Sequence, residues 1–503
     1  MKKIVYVIIG ILIAVNIYFC SYSVLHGEIH FFNDVARDFL LLREIDAKKI
    51  MLIGPRSNAS GLFHGPLWSY INYPVYRLGG GNPVVNGWFW ILLSAGSLGI
   101  GFFYTKKLFG TVPGLAFVLL CSYSLIPQVN GMFHSSATIL LTPLLIFSII
   151  QYVKSCKFKY LAFHIFIVSM IFQLNIGVGM PLFILSGLLC LYLVIRRKSW
   201  KHLSVFLLIP VLLSNFIIFD LRHDFFMTKS AIVYSEFQRT WKPLSTGFFL
   251  KNRIETTVDL HIIQTQNPLV VNFIFFSVIL FSIFQIRKSR KDRTIYLLIL
   301  YYYFGYMLLT FANKGVILMH FVYFLIPLTV LWFVSFLRGS SQFLFFPILV
   351  IAIFMNSRET VNYLNYLNTS FMEKRPESWR STNLAAEAVI KRNGSKPFGY
   401  FVFSPDAFAY GPRYAMIYHF KKAHLDAREY TKMATTYVIA SPPPDNDPYM
   451  TYVWWVKNPV KITTEPVWTE KFGGGYTALE YKLSEKEQLI PHDKTIELGI
   501  HFR

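Results

Sequence analysis

Asp34, Arg37 and Asp38 stand at positions i, i+3 and i+4 of the stretch His30–Ile45, a spacing that sets two carboxylates and a guanidinium on one face of a helix. With Asn33 as N-cap, Asp34 falls in the first turn, where the helix dipole and Arg37 both favour its ionised form. A carboxylate so placed can take a proton from a hydroxyl group. The same residues also suit a structural role, a helix-end anion with a surface ion pair, and this stretch alone leaves both open. Asp38 is open between a second carboxylate for a substrate and a partner for Arg37.

The surroundings that must hold these residues are those of a membrane. Of 503 residues, 54% are hydrophobic and 15% charged, where soluble proteins carry about 25% charge. The formal net charge of +22 in isolation suggests nucleic acid, but 48 Phe and 30 Tyr in long uncharged runs argue against a soluble binder of that kind. Runs long enough to cross a bilayer predict eleven spans, near 4–25, 85–105, 111–127, 131–153, 159–175, 178–195, 202–219, 269–286, 294–312, 316–337 and 342–357. Seventeen Lys and Arg, among them Lys2, Lys3, Lys106, Lys107, Arg196, Arg197, Lys198, Arg290 and Lys291, fall in alternate connections, while the short connections opposite carry Lys314. The positive-inside rule then predicts a multi-pass plasma-membrane protein with a cytoplasmic N-terminus and with 26–84, 220–268 and 358–503 facing outward. Two lysines precede the first apolar stretch without a small-residue cleavage pattern after it, so an uncleaved anchor is expected.

The predicted spans contain no Asp, Glu or Arg, and no Lys beyond Lys159 at the first position of one. His134, His164 and His320 lie within them, with His202 at the first position of another, and each of those three is open between a hydrogen-bonded structural residue and a relay. Cys20, Cys121, Cys156 and Cys190 lack metal-ligand spacing and read as packing residues. Chemistry therefore belongs at the outer surface, where the charges collect.

Gly54–Gly61 is a polar turn carrying Arg56, and it leads into Leu62-Phe63-His64-Gly65-Pro66-Leu67-Trp68-Ser69-Tyr70. An Asp-x-x-Arg pair just after the first span, followed some 30 residues later by this His-Gly-Pro-Leu-aromatic segment, resembles the protein mannosyltransferase and aminoarabinose transferase group of the GT-C superfamily. The matching residues are Asp34, Arg37, His64, Pro66, Leu67 and Trp68; Gly65 departs from the more usual Pro, and His64 stands where some relatives have Lys, which makes charge there depend on pH. Phe219-Asp220-Leu221-Arg222-His223-Asp224-Phe225 resembles a Phe-Glu/Asp-Leu-Arg-His segment of bacterial members, and His320 through Pro327 resembles a later membrane-helix pattern.

The resemblance implies transfer of a sugar from a polyprenyl phosphate to an acceptor hydroxyl at the outer leaflet. Such a reaction needs a base for the acceptor and a cationic clamp for the departing phosphate. Asp34 is the candidate base in a single inverting displacement. Arg222 and His64, with Arg56 as a further one, are candidates for the clamp, since a guanidinium binds phosphate bidentately without a metal. Arg37 either orients Asp34 or joins the clamp, and His320 is a supporting candidate. For Arg222, His223 and Asp224 a membrane-edge ion pair is the competing reading, and for Arg56 an ordinary surface residue. Trp68, Tyr70 and Tyr73 either stack on sugar or anchor the interface. Asp34 and Asp38 make a thin oxygen shell, so no tightly bound metal and no other cofactor is expected. The expected partners are the bilayer, a polyprenyl-phosphate-linked sugar and a glycan, lipid or protein acceptor.

The fold class expected is mainly α, a GT-C-like bundle over 1–357 with interfacial helices in its first loop, followed by a small α/β domain over 358–503. In the latter, 383–393 reads as an amphipathic helix and 398–404, 436–441 and 475–483 as strands. Two other functions compete: a flippase or exporter of lipid-linked oligosaccharide, disfavoured by the uncharged spans, and a noncatalytic scaffold.

Overall fold

The computed structural model describes residues 2–240, 245–373, 375–406, 408–444 and 446–500. The side chains of Lys2, Lys3, Arg290 and Lys291, four of the residues behind the expected orientation, lie outside the described ones. Helices run α1 (Lys2–Leu25), α2 (Asn33–Lys48), α3 (Leu67–Leu78), α4 (Pro83–Phe109), α5 (Thr111–Val129), α6 (Thr138–Ser155), α7 (Phe158–Leu174), α8 (Ile176–Arg196), α9 (Leu208–Leu212), α10 (Ser214–Arg222), α11 (Phe226–Thr240), α12 (Thr246–Val258), α13 (Pro268–Lys288), α14 (Arg290–Leu309), α15 (Leu325–Val334) and α16 (Gln342–Met372). After them come α17 (Trp379–Asn393), β1 (Phe398–Phe403), α18 (Tyr410–Lys422), β2 (Ala427–Glu429), β3 (Thr435–Ala440), β4 (Trp468–Lys471) and β5 (Thr477–Lys482). These pack as two compact units, one of 1–20, 50–71 and 90–361, the other of 21–49, 72–89 and 362–503.

The first unit is a helical membrane bundle. Among the described residues eight helices are long and apolar enough to cross a bilayer, nine if Trp200–Leu212 and Ser214–Arg222, bent by 49° at their junction, count as one span. Two of the eleven expected spans are shorter: 159–175 is the 17-residue α7, and 316–337 is helical only over the ten residues of α15 and a single turn at Met319–Phe321. The reason for the second is local. The guanidinium of Arg253 on α12, itself buried, donates to the carbonyls of Thr310, Asn313 and Gly315, and Asn252 Oδ1 accepts from the Ile317 amide at 3.0 Å. Tyr306 donates to the Phe321 carbonyl at 2.7 Å. Side chains thus satisfy a backbone that would otherwise need a helix in apolar surroundings.

The bend between α9 and α10 is stabilised in the same way. Gln173, at the end of α7, donates through Nε2 to the freed carbonyl of Leu212 at 3.0 Å and to Asn215 Oδ1 at 2.5 Å. His164 has hydroxyl partners at both ring nitrogens: Ser148 at Nδ1, Ser186 and Tyr302 at Nε2, each at 3.0 Å. It is a fully buried staple joining α6, α7, α8 and α14.

In the second unit a five-stranded sheet has the order β2-β1-β3-β5-β4. β1 pairs in parallel with β2 and β3, and β5 runs antiparallel to both β3 and β4. Every residue of β1 is buried. On α17 the small buried residues Ala385, Ala386 and Val389 sit at i, i+1 and i+4, which permits close packing of that helix. The chain leaving α1 is fastened to the start of α17 by Phe31 N–H to Glu377 O at 3.0 Å and Trp379 N–H to Ile29 O at 3.3 Å. At that junction Glu28 accepts from the Ser378 hydroxyl and from the amides of Ile29 and Arg380 at 2.8 and 3.3 Å.

Burial outweighs these hydrogen bonds and pushes the Glu28 carboxyl up to about 7 from an ordinary 4.5. Folded Glu28 therefore keeps a proton that the unfolded chain has released, so stability is greatest below pH 4.5 and is lost as pH rises toward about 7. The unfolding midpoint should accordingly drop across that window in the wild type, and Glu28→Gln should flatten this part of the slope.

Candidate functional site

The candidate residues fall in two groups, one in each unit. In the second unit α2 carries Asp34, Arg37 and Asp38. The helix begins at Asn33, with Phe32 as N-cap at φ −76° and ψ 172° and no side-chain cap bond. Asn33 is thus not the N-cap the sequence suggested; its amide donates instead to the carboxylate of Asp406. Asp34 lies one position on, its side chain 41% exposed and Oδ1 2.7 Å from the Arg37 guanidinium, which is itself 10% exposed. Asp38 is buried. The apolar side of α2, expected to dip into lipid, meets protein: Phe39 to Leu42 are buried, and the Phe39 ring lies 5.3 Å from that of Tyr414 on α18.

The first unit holds His64, Arg56, Trp68, Tyr70, Arg222, Asp224 and His320. The loop that carries His64 is a tight hairpin, closed by an Arg56–Phe63 bridge, by Gly54 N–H to His64 O at 2.8 Å and by His64 N–H to Pro55 O at 2.9 Å. Tyr70 pins its start, the hydroxyl donating to the Met51 carbonyl at 2.9 Å and accepting from the Met51 amide at 2.7 Å. Trp68 is buried and stacks on Trp90 at 6.4 Å. Gly65 stands where the group this segment resembles more usually has Pro, for a visible reason. Its N–H donates to the Gln173 carbonyl at 2.7 Å, and a Cβ there would lie 1.6 Å from the Gln173 side-chain oxygen. Proline supplies no donor and needs that space.

His64 is buried, and its Nδ1 accepts from the Ile176 amide, the first of α8, at 3.2 Å. A backbone N–H only donates, so Nδ1 must offer a lone pair and the ring proton sits on Nε2. Protonating Nδ1 would break that bond and place a cation on the positive end of a helix. In this geometry His64 offers its Nε2–H as a donor. His134, from the turn before α6, has its ring 4.7 Å from that of His64, and its neighbour Phe133 lies 6.0 Å from His320. Three histidines from three chain segments thus gather in this unit, a grouping that no sequence spacing announces. His64→Lys removes the acceptor of the Ile176 amide and sets a cation at the start of α8, so it should lower the unfolding midpoint, which a thermal unfolding curve checks.

Arg222 ends α10 and is exposed. The hairpin bearing His64 reaches the same helix, since the Phe63 ring lies 5.9 Å from that of Phe219, one turn before Arg222. The rest of this motif is used locally. Asp220 accepts from the Met227 amide at 2.7 Å and from Thr228, and His223 Nδ1 donates to Phe219 O at 2.7 Å. Asp224 is exposed at φ 50° in the turn to α11. Arg222 is left as the outward cation of the segment. Among the described residues no three His, Cys, Asp or Glu side chains are grouped so as to hold a metal ion.

Sequence reading passed over Asp406 and Arg253 and left His134 open between a structural residue and a relay. Arg253 had no distinguishing signal, standing among Lys251, Asn252 and Glu255 on a mixed polar and apolar helix. Asp406 had none, being 373 residues from its partner.

No protein-family model matches the chain, and no curated protein sequence matches it. Its structure is similar to a crystal structure of ArnT from Cupriavidus metallidurans bound to undecaprenyl phosphate, with a TM-score of 0.56 and 12% identity over 95% of this chain and 98% of that one. The apo state of the same protein gives a TM-score of 0.53 and 11% identity over the same shares. At such identities the likeness is one of fold: the chain has an ArnT-like fold, here a multi-pass membrane bundle with a small C-terminal sheet domain.

Proposed function

We propose that this protein is a membrane glycosyltransferase that moves a sugar from a polyprenyl-phosphate donor to an acceptor hydroxyl, with inversion at the anomeric carbon. The observation that carries this reading is the ArnT-like fold along nearly the whole chain, one of whose solved neighbours is bound to undecaprenyl phosphate. The half-exposed Asp34 in the first turn of α2 supplies what the chemistry asks of a base: it takes the acceptor proton while the acceptor oxygen attacks C1. The C1–O bond electrons leave with the phosphate. Arg222, with the Nε2–H of His64, is assigned to hold that phosphate, a charge-assisted and directional pairing. Arg37 orients Asp34 at 2.7 Å. The positive-inside asymmetry supports chemistry on the exoplasmic side of the plasma membrane.

An exporter would need a path lined by ionisable groups. The buried His164 is instead closed off by three hydroxyl partners. The test is transfer or hydrolysis by detergent-purified protein, offered a panel of undecaprenyl-phosphate-linked hexoses and pentoses. Turnover that disappears in Asp34→Asn supports the proposal; no turnover with any donor, or activity only in sealed vesicles, overturns it.

A further inference from the structure

The C-terminal α/β domain has no assigned task, yet the helix that carries Asp34 is bound to it at three places. Before α2, the segment 29–31 pairs with 377–379 through the two backbone bonds at Phe31 and Trp379. Along α2, Tyr414 of α18 packs against Phe31 and Phe39 at 5.8 and 5.3 Å, and its hydroxyl donates to the Gly81 carbonyl at 2.6 Å. At the first residue of α2, Asn33 donates to Asp406 from the loop between β1 and α18.

Asp406 is the informative one of the three. Its Oδ1 accepts from the amides of Phe408 and Ala409 at 3.1 and 3.2 Å, which fixes the carboxylate on its own loop and leaves Oδ2 to hold Asn33. The N-cap position itself, Phe32, contributes no side-chain bond. The start of α2 therefore has no local side-chain cap, and beside the Asp34–Arg37 pair its first residue is held from another part of the sequence. The charged groups around Asp34 are Arg37 and Asp38 on its own helix and Asp406, the partner of the adjacent Asn33.

We infer that Asp406 is a positioning residue for Asp34, so that the C-terminal domain is part of the catalytic assembly. This rests on the reading of Asp34 as the base. Three variants test it: Asp406→Asn, which retains an oxygen for the turn; Asp406→Ala, which retains nothing; and the exchange Asn33→Asp with Asp406→Asn, which rebuilds the bond with its polarity reversed. Hydrogen exchange needs no substrate. Amides 34–38 should exchange faster in Asp406→Ala, with β1, β3 and β5 as protected as in the wild type. With whichever undecaprenyl-phosphate-linked sugar the wild type turns over, both single variants should lose about 10- to 100-fold in kcat with donor KM unchanged. The exchange variant should recover kcat. Unchanged exchange at 34–38, loosening of the whole sheet, or failure of the exchange variant to recover kcat each overturns the inference. A wild type without any turnover would sink the glycosyltransferase reading instead, while the exchange data would still decide whether Asp406 holds α2.

Discussion

Asp34→Asn is expected to lower kcat for sugar transfer by about 10²- to 10⁴-fold, the range that a positioned general base contributes. The amide matches the carboxylate in shape and can still accept from Arg37, so what it removes is basicity. Donor KM should hardly change, since the base meets the acceptor rather than the phosphate. Stability should hardly change either: the Asp34 side chain is 41% exposed, and ion pairs of this exposure contribute about 0–1 kcal/mol. Initial rates beside an unfolding curve separate the two effects. A variant that folds and still transfers at a wild-type rate would remove Asp34 from the mechanism.

Arg222→Gln carries the second largest expectation, a loss of about 10²- to 10³-fold in kcat, comparable with removing one donor from an oxyanion site. The loss should fall on kcat more than on KM because the phosphate gains its second negative charge only as the C1–O bond breaks. Arg222→Lys should recover part of it, keeping the charge but not the two-pronged geometry. Arg222 is exposed at the end of α10, and the local structure there is held by Asp220 and His223, so folding should be indifferent to either change. Equal losses in the Gln and Lys variants would argue that shape rather than charge matters, and no loss in either would return Arg222 to the membrane edge as an ordinary surface cation.

Much of this protein was legible because it is local. Apolar runs located the long spans, and i, i+3 spacing placed Asp34 against Arg37, both properties of a single helix. In the C-terminal domain, α17, β1, β3 and β5 followed from their buried patterns. What failed to show were elements whose pattern is set by distant partners. α18 is buried from Tyr410 through Ile417, so it has no amphipathic period, and Gly411-Pro412 at its start resembles a turn. β4 is an edge strand, partly or fully exposed along Trp468–Lys471, and reads as loop. The span expected at 316–337 failed because hydropathy does not register a buried arginine on another helix collecting carbonyls. The assignment of His64 as an Nε2–H donor required the Ile176 amide, 112 residues away.

The bond from Asn33 to Asp406 has a temporal side as well. Its acceptor is translated 373 residues after its donor, a delay of roughly 20 to 75 s at ordinary ribosome speeds of about 5–20 residues per second. Throughout that interval the segment bearing Asp34 has left the ribosome without the strand-and-helix scaffold that is to seat it. On the proposed mechanism a nascent chain thus carries Asp34 before the loop that holds α2 has been made, and transfer is expected only once biosynthesis is nearly complete.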